Sequence, residues 1–116
     1  MPPRPVLVVE DDDGVRTFLV ATLAEHGHRV IAAATGEEAL RLLGGESARL
    51  AVLDVTLPGM DGFAVADRLA PDVPVIIVTG DPVGAYARAQ GRTLSYQVLP
   101  KPVAPELLEH AVTSAL

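Results

Sequence analysis

The chain contains no cysteine, which excludes a disulfide framework, a thiolate zinc site and a cysteine nucleophile. That absence suits a reducing compartment, and a cytoplasmic location is the expectation. Long apolar runs are also missing. Although hydrophobic residues make up 49% of the sequence, they occur in short stretches, far below the roughly 20 consecutive residues needed to cross a bilayer. The opening Met1-Pro2-Pro3-Arg4-Pro5 has no apolar core of the signal-peptide kind and reads as an extended lead-in over residues 1–5. No Gly-x-x-x-x-Gly-Lys-Ser/Thr loop follows the first strand, and no dinucleotide glycine fingerprint is found, so nucleotide hydrolysis and dinucleotide binding are set aside. Excess positive charge is lacking too. A net charge of −6 disfavours direct contact with nucleic acid or an anionic membrane.

What is there is an alternation of short apolar strands and amphipathic helices, and its 116 residues suit one domain, 1–116. Val6-Leu7-Val8-Val9 reads as a first strand, Arg29 to Ala33 as a second, Leu50 to Leu53 as a third, Pro74 to Val78 as a fourth and about Ser95 to Leu99 as a fifth. Between them, residues 14–26 show helical spacing at Val15, Phe18, Leu19, Thr22 and Leu23, closed by Gly27. Thr35-Gly36-Glu37-Glu38 has the form of a capping box for a second helix that runs to Gly44-Gly45. A short third helix starts at Asp61 or Gly62 and ends before Pro71. Asp81-Pro82 opens a fourth that fades near Gly91, with a thin apolar face of alanines and Tyr86. Pro105 opens the last, with a stripe of Leu107, Leu108, Ala111, Val112 and Ala115. Such a pattern implies a doubly wound α/β fold with a five-stranded parallel sheet and five helices on its two faces.

In a sheet of this kind the strand ends share one rim. Glu10 and Asp11, Asp54, Thr79, and Lys101 just past strand five all fall there. Three carboxylates in one crevice repel one another and call for a cation. Oxygen ligands without histidine or cysteine favour Mg²⁺ over softer metals, and no EF-hand spacing supports calcium. An acidic nucleophile, a divalent metal, a lysine and a hydroxyl are the parts needed to accept a phosphoryl group. Asp12, Asp13 and Asp61 read as helix caps, His26, His28 and His110 as surface residues, and Thr79 has an alternative as a strand terminator.

Four segments, Leu7-Val8-Val9-Glu10-Asp11-Asp12, Val52 to Gly62, Val75 to Gly80 and Leu99-Pro100-Lys101-Pro102, resemble in order and spacing the receiver domains of two-component response regulators. The resemblance implies a flavodoxin-like sheet of order 2-1-3-4-5 and a cis Lys101-Pro102 bond. It implies phosphorylation of Asp54 by a histidine kinase or histidine phosphotransfer protein, Mg²⁺ held by Asp11, Asp54, the Thr56 backbone carbonyl and, largely through water, Glu10. Thr79 and Lys101 would contact the phosphoryl group, and partner binding would change on the face of the fourth helix, fifth strand and fifth helix. Such a domain, cytoplasmic and self-catalysed in its phosphotransfer and slow autodephosphorylation, is not an enzyme in the ordinary sense. Its partners would be the kinase and a downstream effector domain or protein, with neither membrane nor direct nucleic acid, and with homodimerisation left open. The alternative is a degenerate receiver acting as a phosphorylation-independent binding module. One departure concerns the output switch. Many receivers carry Tyr or Phe three residues before the lysine, where this chain has Val98; Tyr96 lies on the same strand face. Either Tyr96 takes over part of the switch, or the signal passes through the fourth helix without an aromatic. The segment Gly91 to Ser95 also lacks the family's Gly-Ala pair, and Gly80 stands where alanine is common.

Overall fold

The computed structural model describes residues 3–90, 92 and 96–116. Five strands, β1 (Val6–Val9), β2 (Val30–Ala33), β3 (Leu50–Asp54), β4 (Val75–Thr79) and β5 (Tyr96–Pro100), alternate with five helices, α1 (Asp13–Glu25), α2 (Gly36–Leu43), α3 (Gly62–Asp67), α4 (Pro82–Ala89) and α5 (Pro105–Ala115). The sheet has the order β2-β1-β3-β4-β5, and every pairing is parallel. β1, β3 and β4 are buried at every position, as expected of central strands covered on both faces. Alternate residues feed two separate cores. Leu7, Val9, Leu53 and Ile77 join Ala39 and Leu43 of α2, Phe63 and Ala66 of α3 and Ala85 of α4. Val6, Val8, Val52 and Ile76 join Leu19 and Leu23 of α1 and Leu108 and Val112 of α5.

Helix starts follow the capping residues. Asp12, Thr35, Asp61 and Asp81 each accept from a backbone N–H in the first turn, of Val15, Glu38, Ala64 and Gly84. Each such cap stabilises its helix by about 1 kcal/mol. Thr35 does its half of the expected capping box; the Glu38 carboxylate instead faces Arg41 at 3.9 Å. In α1 the Thr22 hydroxyl, buried with the apolar side, donates to the Phe18 carbonyl at 2.9 Å and so satisfies itself within the helix.

Two apolar assignments are corrected. Leu107 is 48% exposed and Tyr86 54% exposed. In α5 Leu108, Ala111 and Val112 are buried and Ala115 packs against the same core, while Leu107 falls outside the stripe, because a helix lying on a sheet buries only the side facing it. In α4 Ala85 is the buried residue, and Tyr86 points out. The expected start of strand five at Ser95, the fade of α4 near Gly91 and most of the Gly91–Ser95 segment lie outside the described residues. β5 itself continues one residue further than expected, to Pro100, since Pro100 accepts its place opposite Thr79 at the sheet edge. The Lys101-Pro102 peptide bond is cis. None of the described helices is long and apolar enough to cross a membrane.

Candidate functional site

Strand register brings the chemistry to one end. Val9 pairs with Leu53, so Glu10 is level with Asp54; Asp54 pairs with Val78, and Thr79 with Pro100. Lys101 then emerges beside them, held at its backbone by a 2.8 Å hydrogen bond from its N–H to the Thr79 carbonyl. Carboxylate oxygens of Glu10, Asp11 and Asp54 lie within 4.8 Å of one another. Glu10 is fully buried and Asp54 nearly so, whereas Asp11 is exposed.

Lys101 bridges the two buried acids, its Nζ 2.8 Å from Glu10 Oε1 and 3.1 Å from Asp54 Oδ2. Asp54 Oδ1 accepts from the Thr56 N–H at 3.1 Å, and Glu10 Oε2 from the Asp12 N–H at 3.1 Å. Burial pushes the Glu10 pKa up and the neighbouring Asp54 adds to this, outweighing the Lys101 and Asp12 contacts that favour its charge. For Lys101 burial works against the charge, but hydrogen bonding to Glu10 and Asp54 prevails and raises its pKa. One ammonium therefore serves two buried carboxylates, with a third, Asp11, close to both.

The donor set fits a hard divalent cation. Glu10 Oε1, although beside the ammonium, receives no well-aligned hydrogen bond among the described residues. That oxygen, ion-paired to Lys101 but without an aligned donor, keeps lone pairs that a cation could take. Three converging carboxylates without nitrogen or sulfur donors are the oxygen ligands such a cation takes.

All five rim residues expected from the sequence lie along this end, and Glu10, Asp11, Asp54 and Lys101 converge directly. Thr79 is 4% exposed, and its Oγ1 accepts from the Asp81 N–H at 3.0 Å; the hydroxyl oxygen is thus engaged with the start of α4. Thr56 is exposed and joined to the site through its N–H. Tyr96 and Val98 lie on one face of β5, both against the core that holds Phe63. Asp12 and Asp61 serve as caps, as expected, and Asp13 pairs with Arg16. Of the histidines, His26 bridges the Thr22 carbonyl and Glu109, while His28 is half-buried.

Sequence reading missed Arg16. Its Nη1 donates to the Glu10 carbonyl at 2.9 Å and its Nη2 to Asp13, bracing the acidic turn. The spacing of three from Asp13 was the available signal. Gly62, a helix start by sequence, does more, since a Cβ there would lie 2.2 Å from the Asp54 carbonyl oxygen. Its N–H donates to the Val55 carbonyl at 3.2 Å, so α3 begins against the backbone of the acid-bearing strand.

A family model for the response regulator receiver domain matches residues 6–113. The chain belongs to the response regulator receiver family. Among curated relatives, this receiver is 38% identical to the transcriptional regulatory protein AfsQ1 of Streptomyces coelicolor over 115 residues, covering 96% of the chain and 50% of the relative. It is 36% identical to the transcriptional regulatory protein GlrR of Escherichia coli over 119 residues, covering 98% of the chain and 26% of the relative. The chain thus spans half or less of these relatives. The signal receiver domain of an HD domain-containing protein from Pseudomonas fluorescens superposes with a TM-score of 0.85 at 28% identity, covering 97% of this chain and 94% of that one. The chemotaxis protein CheY4 of Vibrio cholerae gives 0.85 at 25% identity, covering 99% and 100%. The receiver fold, its sheet order and a negative pocket compatible with a divalent metal are thereby established together.

Proposed function

We propose that this receiver accepts a phosphoryl group on Asp54 from a phosphohistidine of a histidine kinase or phosphotransfer protein, and that the modification alters binding of an effector. The observation that carries this reading is the convergence of Asp54, Glu10, Asp11 and Lys101 at one strand-end crevice. In the transfer, a carboxylate oxygen of Asp54 forms a bond to phosphorus as the P–N bond to the donor imidazole breaks. The products are an acyl phosphate and a free imidazole that takes up a proton. Little covalent chemistry falls to the protein beyond supplying the nucleophile; positioning and charge neutralisation do the rest.

Asp54 is suited to attack because its two oxygens are oriented by the Thr56 N–H and the Lys101 ammonium. Lys101 then has a second task, to pair with the phosphoryl oxygens, and it stays charged for that task because the acids beside it raise its pKa. Thr79, one residue beyond the strand position paired with Asp54, supplies a hydroxyl that can turn to donate to a phosphoryl oxygen. Asp11, Asp54, the Thr56 carbonyl and Glu10, the last through water, would hold Mg²⁺, whose positive charge offsets the charge of the carboxylates and phosphoryl oxygens.

Intact-mass measurement after incubation with acetyl phosphate and Mg²⁺ tests the reading. One added phosphate is expected on the wild type and none on Asp54→Asn, and chelation of the metal should abolish the addition. An Asp54→Asn variant that gains phosphate at the wild-type rate would remove Asp54 from the role.

A further inference from the structure

Helix α4 is tied at its start to the strand-end crevice and near its end to α3. At its start the Asp81 N–H donates to Thr79 Oγ1 at 3.0 Å, and Asp81 Oδ1 accepts from the Gly84 N–H at 3.1 Å. Near its end Arg88 donates to Asp61 Oδ2 at 2.9 Å, and its guanidinium lies 4.4 Å from the centre of the Phe63 ring. Asp61 in turn caps α3 through the Ala64 N–H at 2.9 Å, and α3 abuts the segment that follows Asp54 through Gly62. Arg92, just past the helix, pairs with Asp67 of α3, covers the same Phe63 ring at 4.7 Å and reaches Tyr96, whose ring stacks on Phe63 at 5.9 Å.

Two guanidiniums on one aromatic ring repel each other, and each is paired with its own carboxylate, Asp61 at the cap of α3 and Asp67 at its end. The cluster is consequently specific: neither arginine is a loose surface charge. Against this, α4 buries only Ala85. Its position is set chiefly by planar cations on rings and by partly exposed ion pairs, interactions that are weak singly and reversible.

Building on the phosphoacceptor reading, we propose that Arg88 and Arg92 form a clasp that holds α4 against α3 in the unphosphorylated chain and opens when Asp54 is phosphorylated. A phosphoryl group presents acceptor oxygens, toward which the Thr79 hydroxyl turns as a donor. Its oxygen then leaves the Asp81 N–H, and the first tie of α4 is lost. A helix with so little apolar anchorage shifts, and the Arg88–Asp61 contact breaks with it. Release of the clasp exposes Tyr96 and Phe63 edges between α3, α4 and β5, and supplies a conformational signal in a chain whose residue 98 is a buried valine.

Hydrogen exchange of residues 82–89, measured by mass spectrometry on the full chain, tests the clasp. Arg88→Gln removes the cation, and Asp61→Asn breaks the ion pair while keeping a competent helix cap. Without phosphate, both variants should exchange these amides about fivefold or more faster than wild type, as expected when a local closing interaction is lost, with residues 36–43 unchanged. Phosphorylation of the wild type should produce a rise of similar size and add little in Arg88→Gln. Wild-type exchange rates in both unphosphorylated variants would overturn the clasp. So would a phosphorylated wild type, verified by mass, whose α4 stays as protected as before. If no phosphate enters Asp54 at all, the release step falls with the phosphoacceptor reading, while the unphosphorylated comparison still decides whether the clasp holds α4.

Discussion

Helices α2 and α4 have the same length, start from an oxygen cap and carry an arginine in the last turn, yet they are held by different forces. α2 buries Gly36, Ala39 and Leu43, and it ends at Gly44 in the left-handed region, φ 59°. That is the glycine C′ stop, and the residue's missing side chain permits it. α4 buries Ala85, leaves Val83 and Tyr86 largely exposed, and runs into extended backbone at Gln90. Burying one leucine is worth about 1.5–3 kcal/mol, whereas an exposed ion pair or cation over a ring is worth about 0.5–1 kcal/mol. Apolar anchorage fixes a helix for all solution conditions near neutrality. Charge anchorage leaves it responsive to what happens at the crevice, and it is α4 that touches the crevice through Thr79.

The contrast can be broken most severely in the core. Leu43→Ala should cost about 2–5 kcal/mol in urea unfolding, since it removes a buried side chain and leaves a cavity, whereas Tyr86→Ala should stay within about 0.5 kcal/mol. Equal losses in the two would mean that α4 is packed like α2. Next in size, Asp81→Ala should cost about 1 kcal/mol by loss of its cap, with the change in hydrogen exchange concentrated in residues 82–89. Raising salt to about 1 M should speed exchange in α4 about twofold to threefold through screening of its ion pairs, and leave α2 unaffected; a parallel response would remove the distinction.

The smallest expected effect is a pH dependence centred on Asp61. Burial pushes its pKa up, but the Ala64 N–H and Arg88 prevail and bring it below the ordinary 3.8. A carboxylate with a depressed folded pKa contributes stability that is present above the unfolded value and is lost as pH falls through the folded value. Between about pH 5 and about pH 3, wild type should therefore lose stability that Asp61→Asn does not lose, by a few tenths of a kcal/mol. A steeper acid loss in Asp61→Asn than in wild type would contradict the ion pair.

The elements that sequence reading located are those specified locally. Apolar β-branched runs at Val6–Val9 and Val75–Val78, together with oxygen-bearing caps at positions 12, 35, 61 and 81, mark the ends and kinds of elements within a few residues. The rim followed from topology, because parallel strands must finish together, and Glu10, Asp11, Asp54 and Lys101 do converge. What stayed hidden depends on partners distant in the chain. Arg88 finds Asp61 across 27 positions and Arg92 finds Asp67 across 25, spacings with no helical or strand period. Likewise the width of the apolar stripe on α5 is set by how squarely the helix sits on β4 and β5, and no local spacing tells that Leu107 lies outside it. Thr79 is legible as a hydroxyl at the rim, but its engagement with Asp81 depends on the turn into α4.

Gly62 gives the crevice a mechanical property. With a hydrogen where other residues carry carbon, the first turn of α3 rests directly on the main chain that bears Asp54, and no flexible side chain lies between them to absorb a displacement. A methyl group at position 62 would have to push that carbonyl and the helix start apart, so the small residue sets how near α3 can sit to the acid-bearing strand.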